Sequence, residues 1–217
     1  MSLADHLASA LKRHDEKPNV ELAQRLAKQA EVSSEVLELL AIVKNGEKAQ
    51  AHDAIKVLYE LAALRPGAFG DKIGFVFDLL GTKDNRILWG ALTLLANTCK
   101  LDHGATFEHL PQILDASARG SVIAKDATCE ILLELAASSA HQNQVHPHLI
   151  NFLSAAAPNQ LPMYAENAAK RFINTENVEL VHTLFARLEE MPTAAKRARL
   201  EKAIAKLSLP PKPLSLA

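Results

Sequence analysis

Residues 54–62, AIKVLYELA, form an apolar helical pattern headed by alanine that returns three more times along the chain. The later copies are ALTLLANTC from Ala91, ATCEILLEL from Ala127 and AENAAKRFI from Ala165. Successive leading alanines are therefore 37, 36 and 38 residues apart. A near-constant period of this length is typical of stacked helical repeats, in which no unit can bury its apolar face alone.

A shorter apolar segment precedes each of these helices and repeats with the same period. Its anchor residues are spaced by 37, 37 and 39 residues, and they are Leu40, Phe77, Leu114 and Leu153. Turn-forming residues separate the two segments of each pair, at Asn45-Gly46, 81–85, Arg119-Gly120-Ser121 and Pro158-Asn159. The leading alanines and these anchor residues repeat with nearly the same period. Each repeat therefore contains two helices, and the sequence predicts helical hairpins.

Both ends extend the pattern imperfectly. Residues 3–12 and 20–30 form a plausible first pair, and residues 178–189 and 194–207 a last one. We therefore expect a single domain with a capping helix pair at 1–32, a repeat array at 33–190, a basic capping helix at 191–207 and a flexible proline-rich tail at 208–217.

The array resembles HEAT repeats over roughly residues 33–190, because alanine early in the second helix is followed four residues later by leucine or isoleucine. The matching pairs are Ala54/Leu58, Ala91/Leu95 and Ala127/Ile131. The resemblance implies an all-α fold, a right-handed α-α superhelix (solenoid) of about six antiparallel hairpins, HEAT/ARM-like. The chain departs from the family pattern in its Asp/Arg ladder, which appears only as Asp84 and Arg86.

Composition excludes several classes of protein. The formal net charge is −1, so the global basic field of most nucleic-acid binders is missing. Two cysteines, Cys99 and Cys129, are too few for a disulfide framework or a four-cysteine zinc site and indicate reduced thiols in a cytoplasmic protein. No segment approaches the roughly 20 apolar residues of a membrane span, and the N-terminal residues lack the apolar region of a secretory signal.

Positive charge is concentrated after Pro192, where six cations face only Glu201; the cations are Lys196, Arg197, Arg199, Lys202, Lys206 and Lys212. Two interpretations stay open for this segment. It is either a solvated last helix whose cations suit its C-terminal dipole, or a docking surface for an acidic partner.

Catalytic motifs are missing from the sequence. It contains no GxSxG, Walker, GxGxxG or HExxH pattern. The histidines at 141, 146 and 148 cluster around a turn, but His146 and His148 point to opposite sides, and Pro147 is expected to start a helix. We therefore expect no metal, no cofactor and no enzymatic activity.

The resemblance to HEAT repeats implies that the second helices line a concave groove. With the leading alanine as position zero, helical geometry predicts that positions −2, +2 and +5 face the groove, bordered by +6. The candidate partner-binding residues are His52, Lys56, Tyr59, Trp89, Thr93, Asn97, Lys125, Cys129, Leu132, Met163, Asn167 and Lys170. Trp89 either anchors a partner or packs under the preceding turn, near Phe75 or Leu79.

These features favour a non-catalytic scaffold or adaptor whose groove holds another protein or a peptide. Two alternatives remain from other classes: a nucleic-acid-binding or DNA-repair module of HEAT type, and an accessory lyase-type HEAT protein. One tryptophan, two tyrosines and a net charge near zero supply little of what a base-flipping enzyme needs. The sequence leaves the partner's identity and the oligomeric state open.

Overall fold

The computed structural model of the chain describes residues 2–172 and 177–208. Regular structure in these ranges is entirely helical. The α-helices are α1 (Lys17–Ala27), α2 (Ser33–Asn45), α3 (Lys48–Leu64), α4 (Ile73–Asp78), α5 (Asn85–Thr98), α6 (His103–Glu108), α7 (Leu110–Arg119), α8 (Val122–Ala137), α9 (Gln142–Ala155), α10 (Leu161–Arg171), α11 (Val178–Phe185) and α12 (Ala194–Leu207). Short 3-10 helices lie at Leu3–His6, Pro66–Lys72, Leu79–Gly81, Cys99–Leu101 and Leu188–Glu190.

The predicted hairpins correspond to α2/α3, α4/α5, α7/α8 and α9/α10. The all-α fold class is confirmed, and the leading alanines lie in the core, since Ala54, Ala91 and Ala165 are fully buried and Ala127 is 7% exposed. Small residues at these positions let neighbouring helices approach closely. The proposed tail at 208–217 lies outside the described residues, apart from Ser208.

Four predicted helix positions differ from the structure. The helix predicted at 20–30 spans Lys17–Ala27. Residues 3–12 form only a 3-10 turn followed by non-helical turns, so the first predicted helix is wrong. The last hairpin begins with α11, which ends at Phe185. Pro147 does not start a helix, because α9 begins at Gln142 and continues through it, so His146 is helical.

The chain divides into two compact units, residues 1–128 and 129–217, and the division falls inside α8. In the first unit α3 is the central helix, packing against α1, α2 and α5. In the second unit α10 packs against α12, and α11 packs against α9 and α12. The sequence gives no sign of this division, because the spacing of the leading alanines continues across it.

Polar contacts in both units join residues about one period apart. Gln112 Nε2 donates to the carbonyl oxygen of Phe77, 35 residues earlier, at 2.9 Å. Asn167 Nδ2 donates to Glu130 Oε1, 37 residues earlier, at 2.6 Å. These contacts tie α7 to α4 and α10 to α8, in each case to the corresponding helix of the preceding hairpin.

Three arginines donate to backbone carbonyls at helix ends that lie about one period earlier in the sequence. Arg65 donates to the carbonyls of Gln29 and Ala30, just after α1. Arg119 Nη2 donates to the carbonyl of Leu80 at 2.9 Å. Arg187 Nη1 donates to the carbonyls of Leu153 and Ala156, at 2.9 and 2.7 Å. Helix C-termini leave such carbonyls without helical partners, and a guanidinium fork can bind two of them.

No helix among the described residues combines the length and the apolar character that crossing a membrane requires.

Candidate functional site

Six of the predicted groove residues lie on two helices of the first unit that pack against each other. His52, Lys56 and Tyr59 are on α3, and Trp89, Thr93 and Asn97 are on α5. The rings of Tyr59 and Trp89 meet with their centroids 5.5 Å apart and their planes tilted by 50°. Trp89 is half-buried, whereas Tyr59 is only 9% exposed. The expectation that Tyr59 faces solvent is therefore wrong, because Trp89 and Lys56 pack against its ring.

Two cations accompany the aromatic pair. Lys56 Nζ lies 4.8 Å from the centroid of the Tyr59 ring, and Arg86 Cζ lies 5.8 Å from that of Trp89. Both distances are within the range of cation–π attraction. We call the residues Lys56, Tyr59, Arg86 and Trp89 the α3–α5 surface.

Acidic residues neutralise the cations of the α3–α5 surface. Lys56 Nζ lies 2.6 Å from Glu60 Oε1 and 3.4 Å from Glu16 Oε2. Arg86 Nη2 pairs with the other carboxylate oxygen of Glu16, at a sequence separation of 70 residues. Glu16 immediately precedes α1, so this carboxylate links the start of α1 to both α3 and α5.

The surroundings of Lys56 and Tyr59 raise the pKa of both side chains. Burial disfavours the charged Lys56 ammonium, but its hydrogen bonds with Glu60 and Tyr59 outweigh that penalty and raise the pKa of Lys56. Burial also raises the pKa of the Tyr59 phenol, which Lys56 only partly opposes. Both groups therefore keep their protons at neutral pH.

His52 belongs to a neighbouring cluster around Asp84. The Asp84 carboxylate caps α5 by accepting from the N–H groups of Arg86 and Ile87, and its Oδ2 lies 2.8 Å from His52 Nε2. Burial acts to raise the pKa of Asp84, but the hydrogen bonds from His52 and the two N–H groups lower it overall. Asp84 and Arg86 match the HEAT ladder in the sequence. In the structure Asp84 binds His52 and Arg86 binds Glu16, and among the described residues neither binds an arginine or aspartate at the matching position of another repeat.

Thr93 and Asn97 extend the exposed side of α5 beyond Trp89. Thr93 Oγ1 donates to the carbonyl of Trp89 at 2.8 Å, and Asn97 Nδ2 donates to the carbonyl of Thr93 at 3.0 Å. Both side chains are half-buried. Lys125, on the first part of α8, is exposed.

Two predicted groove residues lie in the core of the second unit. Cys129 and Leu132 are fully buried, so the prediction that they face a groove is wrong. The reason is that the partly exposed face of α8 carries Asp126, Glu130 and Glu134, which lie at positions −1, +3 and +7 from the leading alanine. The assumed positions +2 and +5 lie beside this polar stripe, so the register used for all four helices does not hold for α8.

The remaining predicted residues lie on α10. Met163 and Asn167 are half-buried and Lys170 is exposed. Asn167 and Lys170 line an open polar cleft of about 430 Å³ together with Glu130 and Arg171. Lys170 Nζ donates to Asn167 Oδ1 at 3.3 Å, and Arg171 pairs with Glu134. Polar groups of this cleft are therefore already engaged with one another.

The basic C-terminal helix is partly neutralised within the second unit. Arg199 forms a two-pronged ion pair with Glu166, with distances of 2.8 and 2.7 Å, and this pairing lowers the pKa of Glu166. Arg197 pairs with Glu189 and with Glu201. Two of the cations of α12, Arg197 and Arg199, thus dock the helix and tie together its own turns.

Sequence reasoning missed Glu16, Glu60 and Arg86 as members of the site. Glu60 and Arg86 each had a signal, since Glu60 occupies position +6 from Ala54 and Arg86 matches the HEAT ladder, whereas Glu16 lies outside the repeated helices and had none. Within residues 2–172 and 177–208, no group of three or more His, Cys, Asp or Glu side chains is placed to hold a metal ion. Cys99 and Cys129 are both buried.

No protein-family model, curated protein or solved structure matches this chain.

Proposed function

We propose that the chain is a non-catalytic scaffold of HEAT-like hairpins, about six in a solenoid, that binds a peptide segment of another protein through the α3–α5 surface. The supporting observation for the solenoid is the set of polar contacts about one period apart in both units. Repeats of this kind present side chains from successive helices on one continuous surface.

The observation that carries the functional proposal is the partly exposed Trp89 ring resting on Tyr59, with a cation beside each ring. Tryptophan, tyrosine and arginine are the residues most enriched at the energetic centres of protein interfaces. A rigid aromatic pair loses little conformational entropy when a partner binds, because both rings are already held in place by packing.

Charge pairing favours a protein partner over a nucleic acid. Phosphate binding draws its energy from cations that are free to neutralise the backbone. Here Lys56 is shared by two carboxylates and Arg86 is paired with Glu16. Arg197 and Arg199 of α12 are likewise paired.

The test is affinity capture from lysate of cells that produce the protein, with Trp89→Ala compared with wild type. We expect a protein captured by wild type to be lost with Trp89→Ala, because truncation removes the exposed aromatic surface. Truncating a central aromatic residue of an interface commonly costs about 2 kcal/mol or more, or roughly 30-fold in affinity.

The matched control is Phe185→Ala, which removes another exposed aromatic ring, on α11 of the second unit; Phe185 is 64% exposed. Circular dichroism checks that both variants are folded. Equal capture of the same partners by wild type and both variants contradicts the proposal, and recovery of nucleic acid alone replaces it with the nucleic-acid alternative.

A further inference from the structure

Lys56 and Arg86, two cations from different helices, converge on one carboxylate beside the aromatic pair. Glu16 Oε2 lies 3.4 Å from Lys56 Nζ, and Glu16 Oε1 accepts from Arg86 Nη2. The side chains of Lys56 and Arg86 are 13% and 34% exposed, whereas that of Glu16 is 42% exposed. The two cations are therefore the inner part of the cluster, and the carboxylate is its outermost member.

Two hydrogen-bonding possibilities at this site are unused: the capping of α1 by Glu16, and the N–H at Nε of Arg86. Glu16 occupies the position before α1 where a side chain can cap the helix, but it makes no capping hydrogen bond. Arg86 Nε is buried and has no acceptor in the part of the chain that the structure describes. A buried N–H without an acceptor is costly, so the hydrogen bonding of the Arg86 guanidinium is incomplete while Glu16 occupies the site.

We infer that Lys56 and Arg86 form a carboxylate-binding site, which Glu16 fills in the unbound protein and which an acidic side chain of a partner peptide takes over. The inference rests on the proposed function, since it names the chemistry of a partner for the same surface. Glu16 then acts as an internal competitor, because a ligand must displace it before it reaches the two cations.

The charges around the site favour a single peptide carboxylate over a polyanion. Lys56 and Arg86 face Glu16 and Glu60, so the cluster is neutral as it stands. Exchanging one carboxylate for another keeps that balance. A chain of phosphates would meet Glu60 and, nearby, Asp84. The rings of Tyr59 and Trp89 offer apolar contact to residues that flank the acidic one.

Trp89 provides the readout, since it is the only tryptophan in the chain and lies beside Arg86. The probe is a capped pentapeptide with glutamate between two leucines, and its control carries glutamine instead. Fluorescence titration compares wild type with Glu16→Gln, which removes the internal carboxylate at the same size. We expect Glu16→Gln to bind the glutamate peptide about tenfold more tightly than wild type, since the competitor is gone.

Three controls make the result specific to the site. The glutamine peptide should bind neither protein measurably. Adding Arg86→Gln to the Glu16→Gln variant should abolish the gain. Glu21→Gln, which removes an exposed carboxylate of α1 paired with Lys17 at 3.8 Å, should behave as wild type.

Equal affinity of wild type and Glu16→Gln for the glutamate peptide overturns the inference, as does equal binding of the two peptides. The outcome is separable from that of the capture experiment. If Trp89→Ala loses a partner but the carboxylate has no effect, the scaffold proposal stands and the carboxylate site fails. If the peptide binds as expected but no captured partner depends on Trp89, the carboxylate site stands and the scaffold proposal fails.

Discussion

Replacing Asp53 with alanine is expected to lower the free energy of unfolding by about 2–4 kcal/mol, because it leaves one buried and one half-buried donor without acceptors. Asp53 Oδ1 accepts from Asn19 Nδ2, and Asp53 Oδ2 accepts from the backbone N–H of Ser9, both at 2.7 Å. Asn19 is fully buried and in turn accepts from the N–H of Ala8 at 2.9 Å. The network joins the N-terminal residues to α1 and α3.

Urea unfolding followed by Trp89 fluorescence measures this effect, since the only tryptophan lies in the same unit as Asp53. Asp78→Ala is the matched control, because Asp78 is an exposed helical aspartate of that unit. It should change the free energy of unfolding by no more than about 0.5 kcal/mol. A loss for Asp53→Ala as small as that of the control would show that the network does not stabilise the fold.

Gly90→Ala is expected to destabilise the first unit by about 1–3 kcal/mol, although alanine is the better helix former. A Cβ atom at residue 90 would lie 2.5 Å from Cγ1 of Ile55, well inside contact distance. Ile55 is fully buried on α3, so neighbouring side chains restrict its movement. The missing side chain is what allows α5 to approach α3 this closely.

Gly74→Ala should have the opposite effect and raise the free energy of unfolding. Gly74 is an exposed residue of α4, and an added Cβ would meet nothing within 4 Å. Alanine there should stabilise the helix by about 0.5–1 kcal/mol. Urea midpoints for the two variants give a direct comparison. If Gly90→Ala also stabilises the protein, the close packing of α3 against α5 is wrong, and the geometry of the α3–α5 surface with it.

The helical fold could be predicted because it depends on local patterns. Leading alanines mark close helix contacts, so their spacing identified the buried positions Ala54, Ala91 and Ala165. The Thr193 side chain caps α12, and both predicted bounds of this helix agree with the structure. The outward face of α8 was predicted wrongly because one register was applied to all four helices, whereas the polar stripe of α8, Asp126, Glu130 and Glu134, is shifted by one residue from that register.

The candidate site could be predicted only in part. Lys56 and Trp89 follow from helical register, because α3 and α5 each have a recognisable apolar side. Glu16 could not be found this way, since its partner Arg86 lies 70 residues away and no period relates the two residue types. The buried Asn19–Asp53 pair was missed for a similar reason: its polar side chains resemble surface residues until their partners are known.

Photo-crosslinking at position 93 tests the central claim, that the α3–α5 surface binds a protein partner, most directly. A benzophenone side chain in place of Thr93 lies one turn beyond Trp89 on α5, and the same group in place of Phe185 is the control. We predict that position 93 crosslinks in cell lysate to a protein identified by mass spectrometry, at a peptide containing an acidic residue, and that position 185 does not. A partner that crosslinks from position 185 but never from position 93 would contradict the account.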